Sequence, residues 1–223
     1  MADDGIKNAL AFVTSAYSSY SSCRQYLQNI SDAQAAVGPE APRVEKLRVF
    51  YKHSLFIEAN VEQIRVALEQ VGDSAHLVFT AHSIPESMAV NCDYASQLGH
   101  TSALIARELP IEKWHLVYQS RSGSPTQPWL GPDVCEHLRT LRSEGVTDVV
   151  IAPIGFVSDH MEVVYDLDVE ARRVADEIGL KMVRAQTAGT HPSFVKMIRE
   201  LVMERINNEV PANLCAPDCC RLS

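Results

Sequence analysis

The chain has 223 residues, 46% of them hydrophobic and 22% charged, with a formal net charge of -8 at pH 7. That is an ordinary globular composition, long enough for one large domain or two small ones. The acidic balance excludes a general nucleic-acid binder, which needs cations to neutralise phosphates.

From the start of the chain, Met1 to Ala9 reads as the end of a helix running into a strand at Leu10 to Val13. A doubly wound domain rarely opens that way, so the first elements of a first lobe are expected to be missing. Residues 14–26 are dense in hydroxyl side chains and lead into a helix start. Ser31 to Arg43, rich in Ala, Gly and Pro, reads as a loop that ends one unit, with a second beginning near Arg43. Further short apolar runs predict buried strands at Leu77 to Thr80, Leu116 to Tyr118, Val149 to Ile151 and Met182 to Val183. Helical periodicity covers Phe56 to Val71, Tyr94 to Leu109, Val134 to Ser143, Met161 to Ile178 and Phe194 to Ile206. The last is expected to start at His191-Pro192, because proline suits a first helical turn. From Asn207 onward there is no periodicity. The domains expected are residues 1–42, 43–206 with a C-terminal helix that packs back on the first part, and a Cys-rich tail at 207–223. No apolar run approaches the roughly 20 residues that cross a bilayer. Met1 to Gly5 carries no basic stretch followed by an apolar one, so a cytoplasmic protein with reduced thiols is expected.

Strand–helix alternation predicts an open parallel sheet with helices on both faces. Ligands of such sheets bind beyond the carboxyl ends of the strands. Four post-strand segments are chemically unusual. In Thr80-Ala81-His82-Ser83-Ile84-Pro85-Glu86, an imidazole sits where a strand opens into a loop, as a metal ligand or base; its plainer alternative is a bond to a loop carbonyl. In Gly155 to Glu170, Asp159, Glu162, Asp166 and Glu170 form one acidic stripe at helical spacing, with His160 beside them; the plainer alternative is a solvated face. In Gln119 to Pro132, Trp129 is held among prolines and glycine, either as a rigid floor for a flat ligand or as a plug at the sheet edge. In Thr14 to Tyr26 the hydroxyl run, with Arg24 and Tyr26 after it, suits an anion at a helix start, or is a serine-rich cap. Together these describe a cleft for a divalent metal and a flat acidic ligand, without identifying a reaction.

The His82 segment, Tyr118-Gln119-Ser120-Arg121 with Pro128-Trp129-Leu130-Gly131-Pro132, and Gly155 to Asp168 resemble, in order, three long motifs of the ferrochelatases. The resemblance runs to about Ile206. It implies a chelatase-like α/β fold of two doubly wound parallel-sheet lobes, the first incomplete, with porphyrin between them. It implies that Fe²⁺ enters the macrocycle at His82 and Glu162, one a proton acceptor or metal ligand and the other its partner. Asp166 and Glu170 would form a route for iron or protons, and Trp129 would stand by the porphyrin. Residues 15–26 resemble the actinobacterial branch, which implies coproporphyrin III rather than protoporphyrin IX as substrate and Tyr26 as a porphyrin contact. Some members of that branch hold a [2Fe–2S] cluster on one internal and three C-terminal cysteines. Cys23 with Cys215, Cys219 and Cys220 fits that count, the alternative being unpaired tail thiols; Cys92 and Cys135 read as buried small residues. A monomer with no nucleic-acid partner and at most weak membrane contact is expected. The rivals are a cobalt or nickel chelatase of the same fold and an inactive porphyrin- or haem-binding fragment.

Overall fold

The computed structural model describes residues 1–72, 75–109, 111–124, 126–209 and 219–222. Two parallel sheets organise it. The smaller pairs β1 (Asn8–Ala11) with β2 (Arg43–Lys46). Between them the chain makes a π-helical turn at Tyr20–Arg24 and then α1 (Gln25–Val37). The larger sheet follows α2 (Ser54–Leu68). Its strands are β3 (His76–His82), β4 (Trp114–Gln119), β5 (Asp148–Ala152) and β6 (Lys181–Arg184), all parallel, in the order β4-β3-β5-β6.

Apolar side chains alternate across this sheet because successive strand residues point to opposite faces. Leu77, Phe79, Ala81, Val150 and Ala152 face one core, shared with α2, α4 (Tyr94–Glu108) and α8 (Pro192–Ile206). Val78, Val117, Val149 and Ile151 face the other, shared with α5 (Val134–Ser143) and the helix that begins as α6 (Met161–Val163). That helix widens into a π-helical stretch at Val164–Ala171 and ends as α7 (Arg172–Glu177). A short α3 (Glu86–Ala89) precedes α4. Chain direction reverses about β3. From β3 it passes outward to β4 on one side, then returns through α5 to β5 on the other. A crevice opens at such a switch point beyond the strands' carboxyl ends.

The α/β reading with parallel sheets holds, and several local expectations need correction. Residues 31–37 are helical, not loop, because their alanines favour helix; Gly38, at φ 83°, stops α1. Met1 to Ala9 contains a turn closed by Gly5 N–H to Ala2 O, not a helix end. β1 begins at Asn8 rather than Leu10, where its register against Arg43 starts. β2 was not anticipated, since Arg43-Val44-Glu45-Lys46 has no apolar run. The helix at 134–143 falls where its periodicity put it, with Asp133 capping the N–H groups of Cys135 and Glu136. Proline occupies the first turn of α8, as expected. α8 is ion-paired to the smaller sheet and its exit through Arg205–Glu45 and the two-pronged Arg48–Glu204.

Candidate active site

His82 is the last residue of β3, at the crevice. Its carbonyl accepts from the buried Tyr94 hydroxyl at 3.0 Å. Its Nδ1 bonds the carbonyl of Ser83, and since a carbonyl only accepts, Nδ1 carries the proton. The remaining nitrogen, Nε2, lies 3.2 Å from Glu162 Oε1. At that distance the imidazole and the carboxylate are within hydrogen-bond reach of each other. The two side chains are 33% and 44% exposed, so both reach solvent and an incoming ligand.

The surroundings are stitched to His82. Pro85 bridges Trp129, Leu130 N–H donates to Ile84 O, and Ser83 Oγ donates to Leu130 O. The tryptophan loop is thereby fixed as a wall beside the histidine loop. Opposite, Gly155 N–H donates to Thr80 O at 3.0 Å, and a Cβ on Gly155 would lie 2.5 Å from Ala81 Cα. Only glycine lets the chain after β5 run this close to β3, which brings the Glu162 helix to the histidine. A cavity of about 270 Å³ results, lined in part by Ser15, Ser19, Ser21, Ser22, His82 and Trp129. The serines form their own cap: Ser19 Oγ accepts from Ser22 N–H, and Ser22 Oγ accepts from Ser19 N–H. Beneath them Tyr17 is fully buried and donates to Ile154 O; burial pushes its phenol well above the ordinary tyrosine range.

The acidic stripe does not stay one row. Glu162 meets His82, and Asp166 accepts from Ser120 Oγ and, at 3.3 Å, from Gln119 Nε2. Asp159 is bound to Arg184 at 3.1 Å, together with Asp168. Glu170 lies near Cys135, whose thiol is pushed up to about 11, mainly by burial and partly by the charges of Asp133 and Glu170. Helical spacing of three and four assumed α geometry, whereas residues 164–171 wind more loosely as a π-helix, a form that recurs at functional sites.

Tyr26 lies on α1, 44% exposed, and is not among the residues lining the cavity. Cys23, in the π-helical turn behind the serines, and Cys220 are buried. The Cys220 thiol is pushed up to about 12, by burial first and then by the neighbouring Cys219, Cys23 and Cys92. Soft, buried, crowded donors are the chemistry an iron–sulfur cluster takes. Among the described residues, no three His, Cys, Asp or Glu side chains are arranged to hold a metal ion. Cys215 lies outside the described residues. Sequence reasoning missed Tyr94 and Arg184, and it had Gly155 only as the start of the acidic segment. Arg184 had a signal: it ends a strand at the carboxyl side of the sheet, where the other site segments were sought.

The family model described as Ferrochelatase matches residues 1–206. The chain is 48% identical to a ferrochelatase of Rhodopirellula baltica over 99% of its own length and 67% of the relative. It is 43% identical to the coproporphyrin III ferrochelatase of Nocardia farcinica, over 99% of this chain and 70% of that one. Against the coproporphyrin III ferrochelatase of Mycobacterium marinum, also 43% identical, it spans 65% of the relative. Among solved structures, SirB from Bacillus subtilis with Fe3+ superposes with a TM-score of 0.63 at 13% identity, covering 92% of this chain and 75% of SirB. That likeness concerns the fold.

Proposed function

Since this chain belongs to the ferrochelatase family, we propose that it inserts ferrous iron into a porphyrin, coproporphyrin III in preference to protoporphyrin IX, as a lyase of haem synthesis. The observation that carries this reading is His82 Nε2 at 3.2 Å from Glu162 Oε1, at the carboxyl end of β3 and on the wall of a cavity bounded by serines and Trp129.

Insertion of Fe²⁺ releases two pyrrole protons, so the site needs a base facing the ring and a path away from it. His82 is that base. Its Nδ1–H is held by the Ser83 carbonyl, which fixes the ring with Nε2 beside Glu162 at the cavity wall. Glu162 balances the imidazolium formed when a proton arrives and passes the proton outward. Asp166, held by Ser120 and Gln119, is the next carboxylate on the same helix, and Glu170 follows it at the outer end of the route for protons or iron. Trp129 flanks the macrocycle, and the serine hydroxyls accommodate propionates. A substrate with four propionates draws more from that hydroxyl surface than one with two, which favours coproporphyrin III; the naming of the Nocardia and Mycobacterium relatives supports the same choice. Tyr26 is proposed as an outer porphyrin contact at the mouth.

Cys23, Cys215, Cys219 and Cys220 would hold a [2Fe–2S] cluster, tying the end of the chain behind the serine wall. We place the reaction in the cytoplasm, with the protein a monomer and any membrane contact weak. Among the described residues no helix is long and apolar enough to cross a membrane.

The test is anaerobic insertion of Fe²⁺ into both porphyrins, followed by absorbance, on this chain. Faster turnover of coproporphyrin III is expected. A Soret shift on porphyrin binding without insertion would instead make the chain a binding module.

A further inference from the structure

Glu162 needs an external support. Among the described residues its carboxylate hydrogen-bonds only His82, and α6, which carries it, is three residues long. The residue before α6, His160, gives the helix no side-chain cap. A helix start without a cap leaves its first N–H groups unheld, and the π-helical stretch behind it is a loose winding. Yet Glu162 must sit within hydrogen-bond reach of a base on another element.

The structure assigns that support to Arg184, as a positioning residue for Glu162. Arg184 ends β6, opposite Ile151 of β5, so its backbone belongs to the rigid sheet. Its guanidinium is 13% exposed and binds two carboxylates that bracket Glu162 along the chain. Nε and Nη2 bind the two oxygens of Asp168 at 2.6 and 2.8 Å, in the π-helical stretch. Nη1 binds Asp159 Oδ1 at 3.1 Å, in the turn that enters α6. One planar cation thus ties the entry of the helix to its middle and both to the sheet, fixing the backbone from which Glu162 reaches His82. A two-sided grip of this kind requires a guanidinium: an ammonium is a point charge and cannot present a fork to Asp168 and a further N–H to Asp159. A displacement of about 1 Å at a reacting pair is worth on the order of 100-fold in rate, so a residue that never touches substrate controls turnover from here.

The inference rests on the iron-insertion reading, and its test separates the two. Wild type, Arg184→Gln, Arg184→Lys and Asp159→Asn of the full chain are compared by kcat and KM for porphyrin, by thermal unfolding, and by amide exchange at residues 161–164 in the substrate-free protein. For Arg184→Gln the expectation is kcat down roughly 10- to 100-fold per folded molecule, porphyrin KM within about twofold, and exchange at 161–164 faster by about tenfold while β4 and α5 are unchanged. Arg184→Lys should recover part of kcat, and Asp159→Asn, which removes one arm and keeps the cation on Asp168, should lose less than Arg184→Gln. If Arg184→Gln does not fold, Asp159→Asn carries the same expectations at smaller size. Wild-type kcat in folded Arg184→Gln or Asp159→Asn, or loss of kcat only in proportion to lost folded protein, overturns the assignment. An inactive wild type overturns iron insertion instead; the support is then judged on exchange alone, where unchanged protection at 161–164 in the variants overturns it.

Discussion

β3 carries a histidine at each end, and the two have opposite surroundings. At the carboxyl end both nitrogens of His82 are engaged, one by a carbonyl and one by Glu162. At the amino end His76 Nδ1 is buried with no hydrogen-bond partner among the described residues, as is Nε2 of the nearby His137 on α5. The rings of His76 and His115 stack at 6.2 Å, and those of His115 and His137 approach to 4.6 Å. Burial, first, and then Lys113 and His115 hold the His76 imidazole below its ordinary value, with Glu144 opposing them. His137 is lowered in the same way, by burial before His115. One end therefore pairs its imidazole with a carboxylate, and the other disfavours the charged form of its imidazoles. The difference lies in what crosses the strand end: at the crevice a loop and an acidic helix return over the sheet, whereas at the amino end the neighbours are more histidines, a lysine and Glu144, which makes no hydrogen bond to His76 Nδ1.

The largest expected effect breaks the partnered end. Glu162→Gln removes the carboxylate proposed to partner His82 and should lower kcat by about 100- to 10,000-fold, the range of a positioned acid–base group, with the unfolding midpoint nearly unchanged because the side chain is exposed. Steady-state kinetics beside a thermal melt checks both. Next comes the approach that builds this end. Gly155→Val sets a branched side chain against the Ala81 backbone and should cost about 1–3 kcal/mol as overpacking, read from urea unfolding, with activity falling as the helix of Glu162 is pushed away.

Acid sharpens the contrast. His76 and His137 have folded pKa values below their unfolded ones. Both are neutral above the unfolded value of about 6.5, so they change nothing there. As pH falls through that value the unfolded chain takes protons first, and stability declines until the lower folded pKa is passed. His137→Phe, which also removes a buried nitrogen that has no partner among the described residues, should flatten this decline as pH falls below about 6.5 without altering turnover at neutral pH. The smallest effect lies far from either histidine. Arg48→Met unpairs Glu204 and should cost less than about 1 kcal/mol, since the pair is partly exposed and solvent-screened. Arg48 holds the Glu204 carboxyl below its usual value, so the pair's contribution is present at neutral pH and is lost as pH falls through the depressed value. Urea titrations at two pH values check it.

Much of the fold was legible because burial enforces period. The strands at 76–82, 114–119 and 148–152 and the helix at 134–143 are buried runs or strong amphipathic patterns. β2 was not legible, since its pairing with β1 is made by backbone groups that any side chains accompany. The helical run of 31–37 was obscured by glycine and proline just beyond it. Of the site, His82 and Glu162 were legible as types at strand ends. The sharing-out of the acidic stripe was not, because a carboxylate four residues along looks the same whether its helix winds as α or π, and Arg184 was marked only by its place at a strand end.

By itself, then, the sequence determined that the chain is a parallel α/β protein with a histidine and carboxylates beyond its strands, because hydrophobic periodicity and punctuation are local. Only the tertiary structure decided which groups meet: His82 with Glu162, Asp166 with Ser120, and Asp159 and Asp168 with Arg184. Those contacts join residues from 16 to 80 positions apart along the chain. They depend on strand order, on one glycine-permitted approach and on a helix of unusual pitch, none of which leaves a mark in the spacing of side chains.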